Sequence, residues 1–204
     1  MSGQDFFQTI DKPSIAEFKE RGSKFIGHAF PLEKKETFKT LLQQLKKEHP
    51  KAVHHCFAYR LGCDGNQFRV SDDGEPVGTA GRPILGQIDS KQLTNIAVIV
   101  VRYFGGTLLG VPGLIQAYKS SASMALQLIP IVQKAIEVYY ELQFDYTLMN
   151  DVMNIIKQSG CSVIGQERQL FCILKVGIPN AKLEEVLYRL TSLHTLDVKR
   201  IPFS

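Results

Sequence analysis

The sequence predicts an α+β protein of two domains, and three observations carry that prediction. Beyond Pro130 the hydrophobic period runs strand, helix, strand, strand, helix, strand. Before it, "NIAVIVVRYF" (residues 95–104) is almost continuously apolar, as a central strand covered on both faces would be. Between the two, "LIPIVQKA" holds Pro130: a helical pattern ends at Leu128 and strand-like alternation begins at Ala135. The expected domains are residues 1–131 and 134–204.

In the first domain, "SIAEFKE" and "FIGHAFPL" flank the turn "RGSK" and predict a hairpin. A helix follows over residues 34–48, then the strand "AVHHCFAYRL". A Gly-rich acidic loop leads to a short helix after Pro83, then to the apolar strand. The last helix starts near Pro112, a residue suited to a first helical turn. Leu114, Ala117, Tyr118, Ser121, Ala125 and Leu128 give it a face with small residues for close packing.

In the second domain, Ile136, Val138, Tyr140, Leu142 and Phe144 alternate with Glu137, Tyr139, Glu141 and Gln143, the period of a half-buried strand. Leu148, Val152, Ile155 and Ile156 share a helical face that ends at Gly160, a C-cap residue. "CSVIGQ" and "LFCILKVGI" read as strands around the polar turn "ERQ". A second helix from about Asn180 carries Leu183, Val186, Leu187, Leu190 and Leu193, and "LDVKRI" closes as a strand. This is the ferredoxin-like order. RNA-recognition motifs share it, but their aromatic-rich third-strand signature is missing here.

Composition sets the class. Of 204 residues, 44% are hydrophobic and 22% charged, as in an ordinary globular protein. "MSGQDFFQTIDKPS" has no basic stretch followed by an apolar one, and "IAVIVV" is too short to span a bilayer. A cytoplasmic location without membrane contact is expected. Cys56, Cys63, Cys161 and Cys172 show no CxxC spacing and read as free thiols. A metal at His54, His55, Cys56 and Cys63 is not expected, because adjacent strand residues point to opposite faces. No cofactor is expected either. Residues 1–133 hold 16 of the 24 Lys and Arg and 12 of the 20 Asp and Glu, so the excess of +4 lies there. That permits an anionic partner without demanding one.

Two Gly-rich stretches stand out. "RYFGGTLLGVPGLIQAY" (residues 102–118) runs strand, turn, helix, an order that aims backbone N–H groups and a helix dipole at one spot. Gly105, Gly106 and Gly110 would let a phosphate approach, with Arg102, Tyr103 and Lys119 in support. The spacing matches neither a Rossmann fingerprint nor a P-loop, and a sharp turn needing positive φ is the alternative. "SDDGEP" (residues 71–76) offers Asp72, Asp73 and Glu75 either to a cation or to acid–base work, or simply to turn formation. No catalytic partner motif accompanies them. On the strand before, His55 shares the face of Phe57, Tyr59 and Leu61 and reads as a structural histidine. His54 lies on the other face with Cys56 and Arg60, where it can touch a ligand.

"AVHHCFAY", "SDDGEPVGTAGRPIL" and "VVRYFGGTLLGVPGLIQAY", in this order and spacing, resemble the IMPACT family and in particular its bacterial YigZ-like members. One departure is Pro112–Gly113, where family members commonly show a Gly–Gly pair. The resemblance implies a first domain of the ribosomal protein S5 domain 2-like fold, a two-layer α+β arrangement. It also implies a second domain similar to the last domain of elongation factor G. Eukaryotic members regulate translation, so the expected function is a non-catalytic protein that binds RNA or the ribosome and modulates translation, with a protein of the translation machinery as a further partner. Arg82, Arg102, Tyr103, Lys119, His54 and the backbone of Gly105, Gly106 and Gly110 are the expected phosphate contacts. Asp72, Asp73 and Glu75 would order their loop by pairing Arg82 or Arg102. The alternatives are an enzyme acting on a phosphorylated small molecule or nucleotide, and a protein-docking module.

Overall fold

A computed structural model describes residues 4–168 and 170–202. The start of the N-terminal reading (residues 1–3) and Gln169 of the "ERQ" turn lie outside the described residues. By contact the chain divides into Phe7–Lys134 and a second unit, the residues from Ala135 onward joined by residues 4–6. Residues 4–6 therefore depart from the first domain expected from the sequence, residues 1–131. They group with the second because the Ile136 N–H donates to the Asp5 carbonyl (2.8 Å) and Asn180 Nδ2 donates to Asp5 Oδ1 (2.9 Å).

Two short strands, β1 (Phe6–Thr9) and β7 (Val132–Ala135), pair with each other. At four residues each, neither carries enough alternation to read from sequence.

The first unit is built on five strands: β2 (Ser14–Glu20), β3 (Ser23–Pro31), β4 (His54–Leu61), β5 (Gln67–Ser71) and β6 (Ile96–Tyr103). They stand in the order β2-β3-β6-β4-β5, every pair antiparallel. The apolar strand β6 is central, as its composition requires. The helices are α1 (Lys35–Glu48), α2 (Gly81–Ser90) and α3 (Gly110–Gln127). Phe25, Ala29, Cys56, Ala58, Val98 and Val100 face α2 and α3. Phe57, Tyr59, Ala97 and Ile99 face Phe38 and Leu45 of α1. Helices therefore cover both faces of the sheet, three layers where two were expected. The reason lies in β4: both parities of "HHCFAYRL" are apolar, so both faces must be buried. Gly27 admits α3 closely, since a Cβ there would lie 2.6 Å from the Ser121 carbonyl oxygen.

On the α1 face, His28 is 4% exposed and its Nε2 has no hydrogen-bond partner. Burial, reinforced by the neighbouring His49, pushes it down to about 4 from the ordinary 6.5. Burial lowers His55 in the same way. Above pH 6.5 both folded and unfolded chains carry neutral His28. Between pH 6.5 and about 4 only the unfolded chain gains the proton, so stability falls as pH falls through that window. For His28 alone the loss approaches about 3 kcal/mol. Urea unfolding at pH 7, 5.5 and 4.5 should show a steeper acid loss for the natural protein than for His28→Leu. Parallel losses would refute this assignment.

In the second unit, β8 (Glu137–Phe144), α4 (Met149–Ser159), β9 (Ser162–Arg168), β10 (Cys172–Pro179), α5 (Leu183–Thr191) and β11 (Asp197–Arg200) follow the expected order. The strands lie β11-β8-β10-β9, antiparallel throughout. Leu142, Phe144, Leu174 and Val176 pack on one side under Val152, Ile156, Val186 and Leu190. Gly160 ends α4 at φ 71° and donates back to Ile156 and Lys157, the cap predicted for it. No helix of the described residues is long and apolar enough to cross a membrane.

Candidate functional site

Strand register brings both Gly-rich stretches to the same end of the five-stranded sheet. His54, which opens β4, pairs with Arg102 near the close of β6, and Lys24 beside the hairpin tip pairs with Tyr103. Ser71 closes β5 opposite Phe57, so the acidic loop also leaves from that end. The "RGSK" tip joins them. Gly105 lies so close to it that a Cβ would fall 1.8 Å from the Gly22 carbonyl carbon, and the Gly105 N–H donates to Ser23 Oγ (3.2 Å).

The three carboxylates of the acidic loop do different work. Asp72 accepts N–H groups from Gly78 (2.9 Å), Ala80 (3.0 Å) and Gly81 (2.8 Å), which caps the start of α2. Partial burial works to raise its carboxyl, but the donors from Gly78, Gly81 and Ala80 outweigh it and hold it below the usual range. Asp73, at φ 41°, accepts the His55 N–H on Oδ2 (2.8 Å). Its carbonyl lies 2.7 Å from His54 Nδ1. A carbonyl only accepts, so Nδ1 of His54 carries a proton and Nε2 faces inward.

Glu75 is 8% exposed. Its Oε1 accepts from Arg102 Nη1 (2.5 Å) and from the Tyr118 hydroxyl (2.7 Å), and His54 Nε2 stands 3.8 Å away. The Cys56 thiol lies 3.3 Å from the Tyr118 oxygen and 2.9 Å from the Asp72 carbonyl. Burial pushes both that thiol and the Tyr118 phenol upward, which favours their protonated forms.

Arg102 thus has a buried partner, and of the two candidates for ordering the acidic loop it is Arg102 that pairs with Glu75. At 5% exposure it cannot act as the surface phosphate contact expected of it. Its Nη2 reaches Ser23 Oγ at 3.4 Å, its guanidinium carbon sits 5.7 Å from the Phe104 ring centroid, and its Nε has no partner. Tyr103 points to the opposite face and its hydroxyl lies 3.0 Å from His49 Nδ1. Gly106 and Gly110 hold φ of 85° and 69°, conformations that favour glycine. Gly110 opens α3, whose N-cap residue Leu109 provides no side-chain cap. Lys119 is exposed but lies nine residues into α3, about 13 Å along the axis at 1.5 Å per residue, rather than beside the turn. Arg82 is exposed in the first turn of α2, and His54 is half-buried between β4 and the acidic loop.

Two residues escaped the sequence reading. Phe104, 49% exposed just before the glycines, is legible as an aromatic beside a Gly–Gly turn. Arg21 read only as part of a hairpin turn; just the long-range approach of Gly22 to Gly105 brings it to the site. Among the described residues, no group of three or more His, Cys, Asp or Glu is arranged to hold a metal ion.

The same loops carry the family likeness. A family profile described as the Impact N-terminal domain matches residues 21–126, from the hairpin tip through most of α3. The chain belongs to the IMPACT family. It is 36% identical over 173 residues to IMPACT family member YigZ of Escherichia coli (strain K12), covering 84% of each chain. It is 36% identical over 151 residues to IMPACT family member YvyE of Bacillus subtilis (strain 168), covering 74% of this chain and 70% of that one. Among solved structures, the crystal structure of a hypothetical protein superposes with a TM-score of 0.77 at 31% identity, over 98% of this chain and all of that one. Within this IMPACT family chain, the profile covers every loop that meets at the sheet end.

Proposed function

We propose that this IMPACT family protein binds RNA, alone or on the ribosome, and acts non-catalytically on translation in the cytoplasm. The observation that carries the reading is the Phe104–Gly105–Gly106 turn. A half-exposed aromatic ring stands before glycines with little side-chain bulk, ahead of the uncapped start of α3. Single-stranded nucleic acid is held by that pairing: a base stacks on the ring while backbone N–H groups take the phosphate. The Gly105 N–H is already given to Ser23 Oγ, so the donor at this turn is Gly106. Arg82 and Lys119, exposed on the two helices covering this face, extend the cationic surface. The network of Glu75, Arg102, Tyr118 and His54 fixes the turn from beneath. The three sequence motifs resemble the IMPACT family, whose eukaryotic members regulate translation, and this supports the choice of partner. Phosphoryl transfer is less well served, because the Asp72 carboxylate is already engaged by three N–H donors.

The test is a salt titration of binding to generic single-stranded RNA and to ribosomal subunits. Log affinity should fall linearly with log salt. Phe104→Ala should weaken RNA binding about tenfold, the scale of one lost stacking contact. Binding that ignores both salt and Phe104 would remove the turn from the interface.

A further inference from the structure

The hairpin tip adds a cation that no motif predicts. Gly22 and Gly105 are in backbone contact, so the residue before Gly22 borders the turn proposed to hold phosphate. That residue is Arg21, whose side chain is largely exposed. Its ion pair with Glu20, at 3.7 Å, is a surface contact worth too little to hold the guanidinium in place.

Arg102 braces the turn from the inside: its guanidinium lies near Ser23 Oγ and the Phe104 ring. It is buried and already paired with Glu75, so the cation that meets an anion at this turn must be an exposed one.

Resting on the RNA-binding reading, we propose that Arg21 is the outer cation of a phosphate site formed where the hairpin tip meets the Gly105–Gly106 turn. The ligand is a backbone phosphate of single-stranded nucleic acid, enclosed between the Gly106 N–H and the Arg21 guanidinium, since the Gly105 N–H is given to Ser23 Oγ. A planar fork of donors suits a phosphate better than an ammonium does, though charge alone governs counterion release.

The experiment measures binding of the full chain to an oligouridylate across a salt series, for the natural protein, Arg21→Ala, Arg21→Lys and Lys199→Ala, with urea unfolding of each. Arg21→Ala should reduce the magnitude of the salt slope by about one and weaken binding several-fold, with no change in unfolding midpoint. Arg21→Lys should keep the slope. Lys199→Ala, an exposed charge of the second unit, should change nothing. If Arg21→Ala behaves like Lys199→Ala while Phe104→Ala still weakens binding about tenfold, the Arg21 site is wrong and the RNA reading survives. If the natural protein fails to bind at any salt concentration, both fall.

Discussion

Replacing Arg102 with Ala should cost about 3–5 kcal/mol of folding stability, the loss expected when one partner of a buried ion pair is removed. Glu75 would remain in the interior with only the Tyr118 hydroxyl against its Oε1 and the His54 ring at 3.8 Å. The loop over residues 72–80 should then exchange its amide hydrogens far faster, because Glu75 ties it to the sheet. Removing both charges is a gentler change: Arg102→Met with Glu75→Gln should recover much of the loss. Urea unfolding of the two single variants and the double variant measures this directly. A single Arg102→Ala variant as stable as the natural protein would mean the pair does not hold the loop. Loss of RNA binding by that variant therefore reports on folding of the site, and Phe104 and Arg21 are the residues that report on contact.

Gly105→Ala should be comparably damaging, for a steric reason. Its Cβ would fall 1.8 Å from the Gly22 carbonyl carbon and 2.1 Å from the Ser23 nitrogen. Both are backbone atoms, so no rotamer change relieves the overlap and the two turns must separate. Overpacking of this kind typically costs about 1–3 kcal/mol and occasionally more, and here the upper end is expected. Gly106→Ala meets no neighbour within 4 Å, so its cost comes from φ of 85° alone, about 1 kcal/mol. Thermal unfolding of the two variants should rank them in that order. A reversed ranking would show that the hairpin tip does not press on Gly105.

How much of this the sequence carries depends on the distance over which each fact is decided. The strands and helices of the second unit follow from local period, and Gly160 caps α4 because the need for a left-handed residue is local. The covering of both sheet faces was implicit in β4, where Cys56 and Ala58 alternate with Phe57 and Tyr59. The fate of Arg102 was not legible as a choice. Its partner Glu75 is 27 residues away, and only folding decides between that partner and solvent. Arg21 is further from reach, since the contact that places its turn, Ser23 with Gly105, spans 82 residues. Phe104 is decided locally, as an aromatic residue directly before a Gly–Gly pair.

The attachment of Asp5 to Ile136 and Asn180 also sets a timetable for biosynthesis. The side-chain bond to Asn180 joins residues 175 apart. At the usual 5–20 residues per second, the ribosome needs roughly 9–35 seconds to make the intervening chain. The segment around Asp5 must therefore wait for Asn180 while Phe7–Lys134 is made and can fold around its own sheet. Asp5 is thus made before the whole of Phe7–Lys134 and yet is among the last residues to meet its partner.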